Sequence, residues 1–156
     1  MIVLDVQNAC EAAVPVSNEV LQQWVQHTLT PHREHAELTL RLVNSDEIQA
    51  LNKTYRKQDK ATNVLAFPST IPQEIFLEYP FLGDVIICPT VLQEESLRLE
   101  TPLIAHWAHI IIHGVLHLLG YDHIQDHDTT IMQALEIKAL ATFEFDNPYH
   151  KDDLFD

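Results

Sequence analysis

The feature that most restricts this chain is the run Leu103–Leu119, its longest apolar stretch, which still carries histidines at 106, 109, 113 and 117. Pro102 stands just before the run and Gly120 just after it. Proline suits the first turn of a helix, where its missing N–H has no partner to lose, and glycine suits the end. The run is at the short end of what crosses a bilayer, and ionisable side chains in hydrocarbon are costly. A long helix buried in a protein core is expected, with no membrane span.

The next residues narrow the reading to His113-Gly114-Val115-Leu116-His117-Leu118-Leu119-Gly120-Tyr121-Asp122-His123. Histidines at i and i+4 of a helix lie about 40° apart and about 6 Å along its axis, so both rings can reach one ion. A third ligand six residues further on has rotated off that face, and the chain must turn to return it. Gly120 supplies the turn, because glycine takes the left-handed conformation without a side-chain penalty. His113, His117 and His123 are therefore the candidate metal ligands. Three neutral imidazoles leave an open position, the catalytic type of site. Zinc suits such a set, with nickel, copper and manganese as the other metals to weigh. The competing reading is a set of core histidines with satisfied hydrogen bonds. His106 and His109 share nearly the same face and fit either a role orienting the ligands or plain packing. His127 is a spare ligand. His27, His32, His35 and His150 read as surface residues.

A chain of 156 residues with 46% hydrophobic content builds one domain with a real core, here 1–156. The N-terminus lacks the positively charged start of a secretory signal. Cys10 and Cys88 are too few for a disulfide framework and suit a reducing cytoplasm. Strand patterns fall at Ile2–Val6, Glu37–Val43, Asn63–Phe67 and Leu82–Cys88, with Pro68 and Pro89 stopping the last two. Helix patterns start after the N-cap candidate Ser17, at Ser45 with Ile48 and Leu51 inward, at Thr90–Leu99, at the Pro102 run, and at roughly 129–143 behind Asp126 or Asp128 as cap. Residues 69–81, with Pro72 and Pro80, read as an irregular loop. The expected fold class is α+β, a single domain with an about four-stranded mixed sheet packed with about five helices.

The net charge of −14 argues against nucleic acid when taken alone, since phosphate binding needs local positive charge. The distribution matters more. Of nine Lys and Arg, four lie together: Lys53, Arg56, Lys57 and Lys60. They fall at the end of the second expected helix, where cations also complement the helix dipole.

The histidine spacing His-x3-His-x2-Gly-x2-His matches the metal frame of the metzincin proteases, with one break. Those enzymes need Glu directly after the first His to take a proton from the attacking water, and here Gly114 stands there. Peptide hydrolysis by that route is disfavoured. A bound zinc ion still lowers the pKa of water, and a phosphodiester gripped by arginine is a fitting substrate.

Three blocks together identify a family resemblance. They are His109 through His123, Leu51-Asn52-Lys53-Thr54-Tyr55-Arg56-Lys57-Gln58-Asp59-Lys60-Ala61-Thr62-Asn63-Val64-Leu65-Ala66-Phe67-Pro68, and Leu82-Gly83-Asp84-Val85-Ile86-Ile87. In order and spacing they resemble the YbeY family of bacterial rRNA-maturation endoribonucleases over essentially the whole chain. The family usually has Pro and Ser where this chain has Ala61 and Ala66, and neither position touches a metal ligand.

The resemblance implies a single α+β domain, one zinc ion on His113, His117 and His123, and cleavage of single-stranded RNA in 16S rRNA 3′-end maturation and late ribosome quality control. It implies that Arg56 is the family's important arginine, which is also the centre of the basic cluster. Expected partners are an rRNA precursor and the ribosome or ribosomal proteins, with no DNA and no membrane, in the cytoplasm. Arg56 is the catalytic candidate for stabilising developing charge. Lys53, Lys57 and Lys60 are candidates for steering the strand. Tyr55 and Tyr121 are stacking candidates, and Asp59 and Asp122 are open as general bases. Two other functions remain in view: a zinc-containing assembly factor without nuclease activity, and a metal-dependent hydrolase of another substrate.

Overall fold

The structure is a computed structural model, and it describes residues 1–70, 80–121 and 125–149. Among the described residues nine elements follow in order: β1 (Ile2–Asn8), α1 (Asn18–Leu29), β2 (Ala36–Leu42), α2 (Ser45–Arg56), β3 (Val64–Pro68), β4 (Phe81–Ile87), α3 (Pro89–Leu99), α4 (Leu103–Leu118) and α5 (Asp126–Thr142). The strands form one sheet in the order β1-β2-β4-β3. β1 and β2 run parallel, as do β2 and β4, while β3 is antiparallel to β4 and forms one edge. The expected mixed four-stranded sheet with five helices is what forms.

Side-chain alternation divides the sheet into two unequal faces. Leu38, Leu40, Val85 and Ile87 point to the larger core, which includes Trp24, Trp107, Ile111 and Val115. Leu65 and Ile86 point the other way, to a smaller cluster with Val43, Ile48 and Cys88. So α1, α4 and α5 contribute to the larger core, and α2 covers the opposite face. Gly83 is required where β3 and β4 meet. Its φ is 139°, and a Cβ there would lie 2.2 Å from the Phe67 carbonyl oxygen.

Local chemistry explains the helix ends, and it corrects several expected boundaries. Ser17 caps α1 as expected, its Oγ accepting from the Val20 N–H at 3.2 Å. Pro102 is the N-cap of α4 rather than a first-turn residue. Pro89 opens α3 one position earlier than expected, and Pro68 is the last residue of β3, at the sheet edge where its missing N–H costs little. The last helix starts at Asp126 behind the N-cap Gln125, three residues before the expected start. Asp126 and Asp128 serve its first turn by charge instead of capping it. His27 and His32 are half-buried rings, edge-on to Phe143 and Tyr121, so the expectation of plain surface histidines fails for those two. His35 is exposed as expected, and His127, the spare ligand candidate, is exposed at the start of α5. His150 and most of the expected 69–81 loop, 71–79, lie outside the described residues.

Candidate metal centre and basic helix end

α4 holds the histidine row because its other faces are committed. Trp107, Ile110, Ile111, Val115, Leu116 and Leu118 are buried. Gly114 faces the sheet, where a Cβ would lie 2.7 Å from Val85 Cγ1 and 3.3 Å from Val64 Cγ2. The helix therefore packs closer to the sheet than any side chain at 114 permits. The position that carries the general-base glutamate of a zincin is sterically closed here, which gives the sequence-level objection to peptide hydrolysis a packing cause.

The end of α4 also follows the expected route. The Tyr121 N–H bonds the Leu116 carbonyl at 3.1 Å and the Gly120 N–H bonds the His117 carbonyl at 3.0 Å. Gly120 has φ 100° and open space around its Cβ position. This paired closure with a left-handed glycine ends the helix. His123, the third candidate ligand, and Asp122 lie outside the described residues. Among the described residues no three ligating side chains converge on one point.

His113 and His117 do come together. Their Nε2 atoms are 3.1 Å apart. Two nitrogens bound at about 2.1 Å in a tetrahedral site would be separated by about 3.4 Å, so the pair is spaced to share an ion. Imidazole nitrogens are the donor type that zinc accepts. The residues present thus fit the expected metal.

Sequence reading missed the group behind this pair. Glu136 of α5 is fully buried, and its Oε1 accepts from His113 Nδ1 at 2.5 Å. Its Oε2 accepts from His109 Nε2 at 3.2 Å and from the Tyr149 hydroxyl. The Tyr149 oxygen also lies 3.1 Å from His109 Nε2. Burial works to raise the pKa of Glu136, but the hydrogen bonds from His109 and His113, reinforced by those rings when charged, hold it at about 2. A signal was present in the sequence: Met132, Glu136, Ala139 and Leu140 share one helix stripe, all four are buried, and one is a carboxylate.

His106 belongs to a second cluster. Its Nε2 lies 2.9 Å from Glu95 Oε1, and Asn63 Nδ2 donates to both Glu95 oxygens at 3.2 and 3.3 Å. Burial acts to raise the Glu95 pKa, yet the bonds from His106 and Asn63, with the charges of His106 and Arg98, lower it overall. His106 thus ties α3, α4 and the entry to β3 together, while His109 joins the site through Glu136.

The basic residues gather at the other face. Lys53 and Arg56 are in the last turn of α2, and Lys57 ends it with φ 60°. All four cations, with Lys60, are exposed. Buried Asn52 donates to the Lys60 carbonyl at 2.9 Å and so holds the turn that presents them. Lys53 approaches Asp59 at 3.8 Å, and Asp59 also accepts from Gln49 at 3.0 Å, a surface pairing that suits a helix end. Tyr55, 64% exposed, sets its ring 5.2 Å from Phe67 of β3, nearly edge-on. Helices α2 and α4 thus meet the same edge strand from opposite faces, α2 through Tyr55 on Phe67 and α4 through Gly114 against Val64. Of the expected stacking residues, Tyr121 packs against His32 instead.

No helix among the described residues is long and apolar enough to cross a membrane. Comparison with known proteins gives a consistent picture. A family model described as endoribonuclease YbeY matches residues 5–144. A protein of Legionella pneumophila (strain Corby) named endoribonuclease YbeY is 52% identical over 146 residues, covering 94% of this chain and 92% of its own. One of the same name from Stutzerimonas stutzeri is 47% identical over 152 residues, covering 97% and 94%. The solution structure of TM1509 from Thermotoga maritima shares the fold, with a TM-score of 0.61 at 23% identity over 96% of this chain and 93% of that one. A match of this extent places the chain in the YbeY endoribonuclease family.

Proposed function

We propose that this chain is a zinc-dependent endoribonuclease that cleaves single-stranded RNA, acting in the cytoplasm on the 16S rRNA 3′ end and in late ribosome quality control. The observation that carries the reading is the His113–His117 pair, with Nε2 atoms 3.1 Å apart and backed by a buried carboxylate, in a member of an endoribonuclease family. His113, His117 and His123 would hold the ion. When bound, it supplies Lewis acidity toward a phosphate oxygen and acidifies water.

The chain's own residues do the rest. Arg56 would hold the scissile phosphate and stabilise charge that develops on its oxygens. Lys53, Lys57 and Lys60 would attract the strand to an otherwise acidic surface. Tyr55 offers an exposed aromatic face beside those cations for a base to stack on. The edge strand β3 lies between the two helices that carry these residues, and the RNA strand would run along it. A net charge of −14 makes tight unaided binding difficult, and a docking partner on the ribosome is the consistent supplement.

The test compares cleavage of a single-stranded RNA by the wild type, His117→Ala and Arg56→Ala, with metal content assayed on each. His117→Ala should lose metal and cleavage, while Arg56→Ala should retain metal and lose cleavage by about 100-fold or more. Equal cleavage by all three preparations would mean a contaminating nuclease and leave the zinc-containing assembly factor as the better reading.

A further inference from the structure

Glu136 is a charged group on the apolar stripe of α5, with no exposed surface. A carboxylate in such a place needs donors for its oxygens and a compensating charge. The donors are His109, His113 and Tyr149, one from the first half of α4, one from the candidate metal pair and one from the segment after α5. A carboxylate only accepts, so His113 must carry its proton on Nδ1 to make the 2.5 Å contact. In the neutral ring Nε2, 3.1 Å from His117 Nε2, is then the nitrogen that keeps its lone pair for a metal. The same proton placement removes the freedom of the ring to rotate.

We propose that Glu136 is the positioning residue of the metal centre, which fixes the tautomer and orientation of His113, and that Tyr149 and His109 in turn hold the carboxylate. This rests on the reading of His113 and His117 as metal ligands. A divalent ion held by His113 would add compensating charge for the carboxylate, the carboxylate–histidine–metal relation that raises ligand basicity. Tyr149 also links the segment following α5 to the centre. Its N–H bonds Asn147 Oδ1 at 2.8 Å, which sets the turn that brings the hydroxyl inward.

A mere tie between α4 and α5 would predict a different outcome, so metal affinity and ring tautomer are the useful readouts. On the full chain, zinc affinity is measured by competition with a chromophoric chelator, beside the thermal stability of the metal-free protein. Glu136→Gln should lower zinc affinity about 10- to 100-fold. Tyr149→Phe, which removes one donor to the carboxylate, should lower it less. In the metal-free wild type, imidazole 15N shifts should show the His113 proton on Nδ1. Wild-type affinity in a folded Glu136→Gln would overturn the proposal and leave Glu136 a structural tie. Should that variant not fold, a His113 proton found on Nε2 in the wild type, or an unchanged affinity in Tyr149→Phe, overturns it equally. His117→Ala separates the underlying reading: if that variant binds zinc like the wild type, the metal centre itself is misplaced and the proposal falls with it.

Discussion

The histidine row of α4 and the basic end of α2 are built on opposite principles. In the first, every polar group described is buried or half-buried, and each has a named partner: His106 with Glu95, His109 and His113 with Glu136, His117 with His113. In the second, four cations stand exposed on one helix end, with a loose ion pair and a backbone bond among them. A low-dielectric site must be fully satisfied, since an unpaired buried group costs far more than a pair returns. An exposed cluster needs only local excess charge, because solvent screens each contact. The two regions therefore respond to perturbation differently. Changes in the row should alter stability and metal affinity, and changes at the helix end should alter rate and salt dependence.

The largest expected effect lies in the row. Gly114→Ala places a Cβ 2.7 Å from Val85 Cγ1 and should destabilise the protein by about 1–3 kcal/mol, read by denaturant or thermal unfolding. A stability equal to wild type would show that α4 can retreat from the sheet, and would reopen position 114 to a larger side chain.

A smaller effect concerns acid. The folded-state pKa of Glu95 is lowered, so its contribution to stability is present above the unfolded carboxylate value near about 4.3 and is lost as pH falls toward the lowered folded value. Unfolding measured between about pH 5 and pH 3 should therefore steepen in the wild type and be flatter in Glu95→Gln. Parallel profiles would mean that the Asn63–Glu95–His106 cluster carries no net charge coupling.

The smallest effect on stability belongs to the helix end. Lys57→Gly relieves a left-handed residue that glycine adopts freely, and should raise stability by up to about 1 kcal/mol. It should also slow RNA cleavage a few-fold and reduce its salt dependence, because one steering charge is gone. Cleavage that is insensitive to salt would break the electrostatic half of the comparison.

Much of this molecule was legible before any fold was known. The four strands and five helices follow from periodicity, and the Gly120 turn follows from the freedom of one residue type. The basic cluster is visible by counting. These are local properties, fixed by neighbours along the chain. Glu136 is the instructive miss. Its place on the apolar stripe of its helix was a sign of burial, but nothing in the local sequence says that a residue 23 positions after His113 bonds its ring. Likewise Asn63, Glu95 and His106 are unremarkable apart and become one cluster only when β3, α3 and α4 meet.

The secondary structure, the spacing of the candidate ligands and the charge contrast between the two regions follow from the order of residues alone, because each depends on short-range geometry or on composition. It takes the folded chain to set α2 and α4 on opposite faces of the sheet sharing β3, to close position 114, and to back His113 with a buried carboxylate. Those facts depend on which faces pack together, and packing joins residues that the chain itself keeps far apart.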